Sequence, residues 1–89
     1  MYYVYLIKSK RDGSIYIGYT NDLKRCFVEH NKGENKSTKN KTPFELIYYE
    51  SYRARSDAKK RESALKKYAQ AYKALKQRIV KSLTKPISG

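Results

Sequence analysis

The chain has 89 residues, room for one small domain with a single modest core. Its 21 Lys and Arg against 8 Asp and Glu give a formal net charge of +13, a self-repulsion that points to a polyanionic partner, nucleic acid before an acidic membrane surface. No apolar run nears the roughly 18 residues needed to span a bilayer, residues 1–9 lack the basic leader and cleavage site of a signal peptide, and a single cysteine excludes an internal disulfide or a Cys-rich zinc site, which makes the cytoplasm the expected location.

The first predicted element is a strand at residues 2–8, YYVYLIK, rich in aromatic and β-branched side chains. Asp12-Gly13 is a turn signal, and strand character resumes over residues 14–19, so the two segments form a hairpin. With Asp12 and Gly13 as the two central turn residues, Ser14 opposes Arg11, Tyr16 opposes Ser9 and Gly18 opposes Ile7. Tyr5, Tyr16 and Gly18 then share one face of the sheet, and Val4, Leu6, Ile15 and Ile17 share the other. A loop one residue longer or shorter would invert one strand.

Thr20, Asn21 and Asp22 are candidate N-caps for a helix that carries the apolar pair Leu23 and Phe27, runs to about Asn31 and stops at Gly33. Residues 32–43, KGENKSTKNKTP, hold no large apolar side chain and read as a basic, mobile loop. Residues 44–52, FELIYYESY, make a third strand. Between Ala54 and Leu83 there is no Gly or Pro, and Ala58, Leu65, Tyr68, Tyr72, Leu75, Ile79 and Leu83 mark one helical face. The length suits two helices jointed near Tyr68 to Ala71, or one long helix. The expected fold is α+β: a small three-stranded, mainly antiparallel sheet flanked by helices in the order ββαβαα. It forms a single domain over residues 1–83, with a frayed tail at 84–89.

Three groups of residues could carry chemistry. Tyr5 and Tyr16 put two phenols on one face beside Gly18, and a glycine in a strand marks close approach to the backbone. In a chain with 10 Tyr and no Trp, any one tyrosine is more readily a large core residue. On the first helix Asp22, Cys26 and His30 share a side at i, i+4, i+8. A Cys–His pair suits a thiolate nucleophile or a two-ligand metal site, but a small buried cysteine beside a solvated histidine explains it more simply. Glu62 falls on the inward stripe of its helix, where a carboxylate needs a hard metal ion or a base. The alternative is an ordinary i, i+4 pair with Lys66, and spacing alone favours neither. The cations Lys24, Arg25, Lys36, Lys39, Lys41, Lys59, Lys60 and Arg61 fit phosphate neutralisation, which binds without reading sequence.

YVYLI (3–7), YIGYT (16–20) and NDLKRCFVEHN (21–31), with TPFELIYYE (42–50) and Glu62 within AKKRESALKK (58–67), together resemble the GIY-YIG nuclease superfamily. The likeness is greatest to its small stand-alone bacterial members and covers roughly residues 2–75. It implies a DNA endonuclease that hydrolyses phosphodiesters with one divalent metal ion, Mg²⁺ or Mn²⁺. By that resemblance Tyr5 activates water, Tyr16 orients the attack, Gly18 keeps the site open, His30 serves the scissile phosphate and Glu62 holds the metal. The first motif reads VYL here, with its tyrosine kept. The resemblance also puts an arginine at position 26, where this chain has Cys26. A charge-stabilising donor of that kind is worth about 10²–10³ in rate. Arg25 is a weak substitute, pointing about 100° away on the helix.

The expectation is therefore a weakened metal-dependent DNA endonuclease, and the alternative is a non-catalytic nucleic-acid-binding module on the same scaffold. An RNA-associated role rests only on charge and tyrosine content, and a Cys26 thiol enzyme ranks last. No membrane partner is expected. A protein partner could supply targeting.

Overall fold

A computed structural model of the chain describes residues 1–36 and 38–84. Strands β1 (Tyr2–Ser9) and β2 (Ile15–Thr20) are followed by helix α1 (Leu23–Asn31), a short 3₁₀ turn (Lys39–Lys41), strand β3 (Phe44–Tyr52) and helices α2 (Arg55–Lys67), α3 (Ala69–Arg78) and α4 (Val80–Thr84). The strands form one antiparallel sheet in the order β2-β1-β3. This is the expected α+β architecture, with the last helical segment divided further. Among the described residues no helix is long and apolar enough to cross a membrane.

β1 is the central strand, and helices cover it on both sides. Val4, Leu6 and Ile7 are fully buried and Tyr5 nearly so, which is why its sequence reads as one apolar run instead of an alternation. On one face Val4 and Leu6 pack with Ala58 and Leu65 of α2 and Leu75 of α3. On the other, Tyr5, Ile7 and Phe44 pack with Tyr16 and with Leu23, Cys26 and Phe27, residues of α1 except Tyr16. Gathering the apolar stripes of both α2 and α3 onto one small sheet requires the break at Tyr68, whose backbone is extended (φ −108°, ψ 107°). One straight helix over residues 54–83 would be about 45 Å long, against a greatest molecular extent of 31 Å. A second break at Ile79 starts α4, which the periodic stripe does not signal.

The hairpin register differs from the expected one by two residues. Ser9 donates to the Ser14 carbonyl at 2.8 Å, Tyr5 opposes Gly18 and Ile7 opposes Tyr16. Lys10 to Gly13 thus form a four-residue loop. Ser9 Oγ accepts from the amides of Arg11 and Asp12, Asp12 Oδ1 accepts from the Ser14 amide, and Gly13 takes a positive φ of 77° that suits a residue without Cβ. Because side chains alternate with a period of two, a shift of two preserves the faces while changing which residues meet.

The segment read as a mobile basic loop is fastened down at several points. Ser9 Oγ donates to the Lys41 carbonyl at 2.6 Å, the Lys10 amide to that of Pro43 and the Arg11 guanidinium to that of Asn40. Thr38 is buried at 1 % exposure. These anchors are polar, so a reading based on apolar patterning does not register them. Of the tail expected to fray at 84–89, Thr84 closes α4 and residues 85–89 lie outside the described residues.

Candidate active site

Tyr5 sits mid-way along the central strand, flanked by Gly18 on β2 and Tyr49 on β3. Its ring lies across Gly18. A methyl built there would stand 2.8 Å from Cε2 and nearer still to Cζ and the hydroxyl. Gly18 therefore makes room for the phenol, and the gap expected in the side-chain layer is filled by it.

α1 supplies the groups that meet the phenol. Asp22 caps the helix by accepting from the Arg25 amide at 3.0 Å, which sets the rotation that turns Cys26 and His30, one turn apart, toward the sheet. Tyr5 Oη lies 2.9 Å from His30 Nε2 and accepts from Cys26 Sγ at 3.2 Å. His30 is 1 % exposed, and its Nδ1 lies 2.7 Å from Thr38 Oγ1. The rings of Tyr16, Tyr5 and Phe44 surround the imidazole at centroid distances of 5.7, 5.9 and 6.0 Å. The histidine is thus buried, contrary to the solvated one in the simpler sequence reading.

The protonation states follow from burial. Desolvation pushes the Tyr5 phenol well above the usual tyrosine range, and the Cys26 thiol, Tyr16 and the Glu62 carboxylate add to the shift. Burial holds His30 below the usual histidine range, against the opposing pull of Glu29. Near neutral pH the pair is a phenol and a neutral imidazole. We assign one hydrogen-bond direction through it: the thiol donates to Tyr5 Oη, the Tyr5 hydroxyl to His30 Nε2, and His30 Nδ1–H to Thr38 Oγ1. In this arrangement the thiol, phenol and imidazole hydrogens each have an acceptor.

Glu62 makes the i, i+4 pair with Lys66 that the second reading of its spacing expects. Its side chain is 23 % exposed and accepts from Lys66 Nζ at 3.0 Å, yet it contributes to the field at Tyr5. Among the described residues no group of three or more His, Cys, Asp or Glu converges. Any Mg²⁺ or Mn²⁺ held by this single carboxylate would have to complete its shell with water and substrate phosphate, since no protein cage surrounds it among the described residues.

The cationic residues divide. Arg25 is exposed and lies 3.9 Å from Glu29, and the structure does not bring it to the Tyr5–His30 pair. Arg61 grips Glu50 with two nitrogens at 3.0–3.3 Å. Lys59 stands 5.4 Å over the Tyr19 ring, and Lys41 lies 3.8 Å from Asp12. Lys24, Lys36, Lys39 and Lys60 are exposed.

Two further residues take part. Thr38 lies in a segment without periodicity, and nothing in the sequence singles it out. Glu50 was legible: in β3, Tyr48, Glu50 and Tyr52 alternate onto the face packed by α2, and both phenols hydrogen-bond the carboxylate.

The profile of the GIY-YIG catalytic domain matches residues 1–78. A UPF0213 protein of Staphylococcus saprophyticus is 38 % identical over 73 residues, covering 81 % of this chain and 88 % of its own. One of Halobacterium salinarum is 40 % identical over 74 residues, covering 82 % and 95 %. The solution NMR structure of a UPF0213 protein of Bacillus halodurans superposes with a TM-score of 0.55 at 28 % identity, over 96 % of both chains.

Proposed function

The chain belongs to the GIY-YIG family, and from that premise we propose that it is a DNA-nicking endonuclease in which the Tyr5–His30 pair activates water and Cys26 lowers the rate. The observation that carries this reading is the buried Tyr5 Oη–His30 Nε2 hydrogen bond at 2.9 Å. Tyr5, with its raised pKa, is not a standing phenolate base. It acts as a relay: as water attacks phosphorus, Tyr5 Oη takes the water proton while passing its own to His30 Nε2. The lowered pKa of His30 keeps that lone pair available, and in the assigned direction Thr38 Oγ1 accepts the Nδ1 proton, which leaves Nε2 to accept from Tyr5. Tyr16 walls the site beside His30. Glu62 would hold the divalent metal, which when bound supplies Lewis-acid stabilisation to the leaving oxygen.

A second reading has its own support. Cys26 stands where the resemblance places an arginine, and Arg25 is directed to Glu29, so no cation reaches Tyr5 from α1. The same scaffold then binds nucleic acid without cutting it. Plasmid nicking with Mg²⁺ or Mn²⁺ decides between them. The endonuclease reading expects weak nicking by the native chain, loss in Tyr5→Phe and Glu62→Ala, and a gain in Cys26→Arg on the order of 10²-fold. Absence of nicking in both the native chain and Cys26→Arg, with salt-sensitive binding retained, selects the binding module. Activity that survives Tyr5→Phe and Glu62→Ala would overturn the site assignment.

A further inference from the structure

On the flank of Tyr5 opposite Gly18, the same sheet face holds a groove of about 530 Å³. Tyr3, Leu46 and Tyr49 line it from the sheet, and Asn21, Lys24 and Phe27 from α1 and the turn before it. It adjoins the candidate active site, because Tyr49 is the cross-strand partner of Tyr5 and directly opposed residues stand about 5 Å apart. Tyr3 and Tyr49 form an edge-to-face pair with centroids 6.0 Å apart. That contact orients both rings, yet Tyr49 remains 52 % exposed. Lys24 is exposed at the rim.

We propose that this groove takes an unpaired nucleobase of a single-stranded nucleic acid, stacked on Tyr49 and Tyr3, with Lys24 meeting the adjacent phosphate. The substrate class is then DNA with a single-stranded segment beside the cut, a refinement that rests on the endonuclease reading for the cut but not for the binding. Base–aromatic stacking accepts any base, since each presents a π-face. The Asn21 amide offers both donor and acceptor to a base edge. A second copy of the chain is disfavoured as the occupant by mutual repulsion at +13, whereas a polyanion is attracted. Asp22, the acidic residue at the mouth, has its Oδ1 engaged by the Arg25 amide as the helix cap.

The test is equilibrium binding in EDTA of an oligonucleotide containing 2-aminopurine, single-stranded and as duplex, alongside plasmid nicking in Mg²⁺. The native chain should bind the single strand more tightly and quench its fluorescence. Tyr49→Leu should weaken single-strand binding about tenfold and leave duplex binding unchanged. Tyr49 is half exposed, so folding should survive, and a thermal melt checks that. Tyr3→Leu should act in the same direction. Equal affinity for single strand and duplex, or an unchanged Tyr49→Leu, overturns the proposal. So does a Tyr49-dependent dimer in sedimentation, which would assign the groove to a second copy. Tyr49-dependent binding without any nicking removes the endonuclease reading and keeps the groove. Nicking without Tyr49-dependent binding does the reverse.

Discussion

Tyr5 and Gly18 oppose each other across the β1–β2 ladder, and the ring of one occupies the space left by the other. Gly18→Ala would push the phenol aside and strip the buried hydrogen bond from His30. The expected cost is about 1–2 kcal/mol, read as a fall in Tm of roughly 5–10 °C. An unchanged melt would show that the ring swings away freely. His30 makes a pH-dependent contribution whose sign is determined by its lowered pKa. Below an unfolded value of about 6.5, the unfolded chain takes up a proton that the folded chain resists. The contribution is complete above that value and is lost as pH falls toward the folded pKa. Melts from about pH 7.5 to about pH 5.5 should therefore fall for the native chain and flatten for His30→Gln. Parallel slopes would mean that the imidazole is not held neutral by the fold.

Between elements, the contact that positions α2 on the sheet is ionic at its centre. Glu50 of β3, 15 % exposed, receives Arg61 of α2, 27 % exposed, together with the hydroxyls of Tyr48 and Tyr52. Burial would raise the Glu50 carboxyl, but the hydrogen bonds from Arg61, Tyr48 and Tyr52 outweigh it and hold the pKa below the usual range. Burial, then Glu50, pushes both phenols up to about 12. Arg61 directly precedes Glu62, so this clamp also fixes the rotation of the α2 turn that carries Glu62. Glu50→Gln keeps the volume and removes the charge opposite Arg61. It should cost about 2 kcal/mol in urea unfolding, and a change under a few tenths would show the clamp to be inert. In the native chain the phenols' share is present below about pH 10 and disappears as pH rises toward the folded values.

These elements also show what the sequence made legible. The strands, the capped first helix and the two faces of the hairpin follow from local alternation and from caps, which act over a few residues. Asp12-Gly13 suggested a two-residue turn, but the Ser9 hydroxyl organises a four-residue one, and that choice depends on side-chain hydrogen bonds invisible to hydropathy. Thr38 was hidden for a related reason: its partner His30 is eight residues away across a segment with no period. The joint at Tyr68 carries no Gly or Pro and exists because two helices share one small sheet.

For the whole molecule, the formal +13 charge overstates what a nucleic acid can neutralise. Arg25, Lys41, Arg61 and Lys66 stand in ion pairs, and Lys76 lies 4.4 Å over the Tyr72 ring. Surface pairs of this sort are weak and can exchange for phosphate, but Arg61, with most of its side chain covered and two nitrogens on Glu50, is committed to the fold. Lys36 and Lys39 differ. Both are exposed, and they bracket the stretch that carries Thr38, the buried partner of His30. If nucleic acid approaches the Tyr5–His30 pair from this side, these two lysines are the cations nearest in sequence to the buried Thr38. Each neutralised phosphate contributes about 0.9 to the slope of log K against log salt on duplex DNA. Removing both lysines should therefore flatten that slope by about 1–2 and weaken binding at low salt, while the melt stays within about 0.5 kcal/mol of native stability. Arg61→Ala should do the opposite, lowering Tm through the Glu50 left unpaired. If the double lysine variant keeps the native slope, the loop does not border the nucleic acid, and the approach to His30 must come from the α1 side.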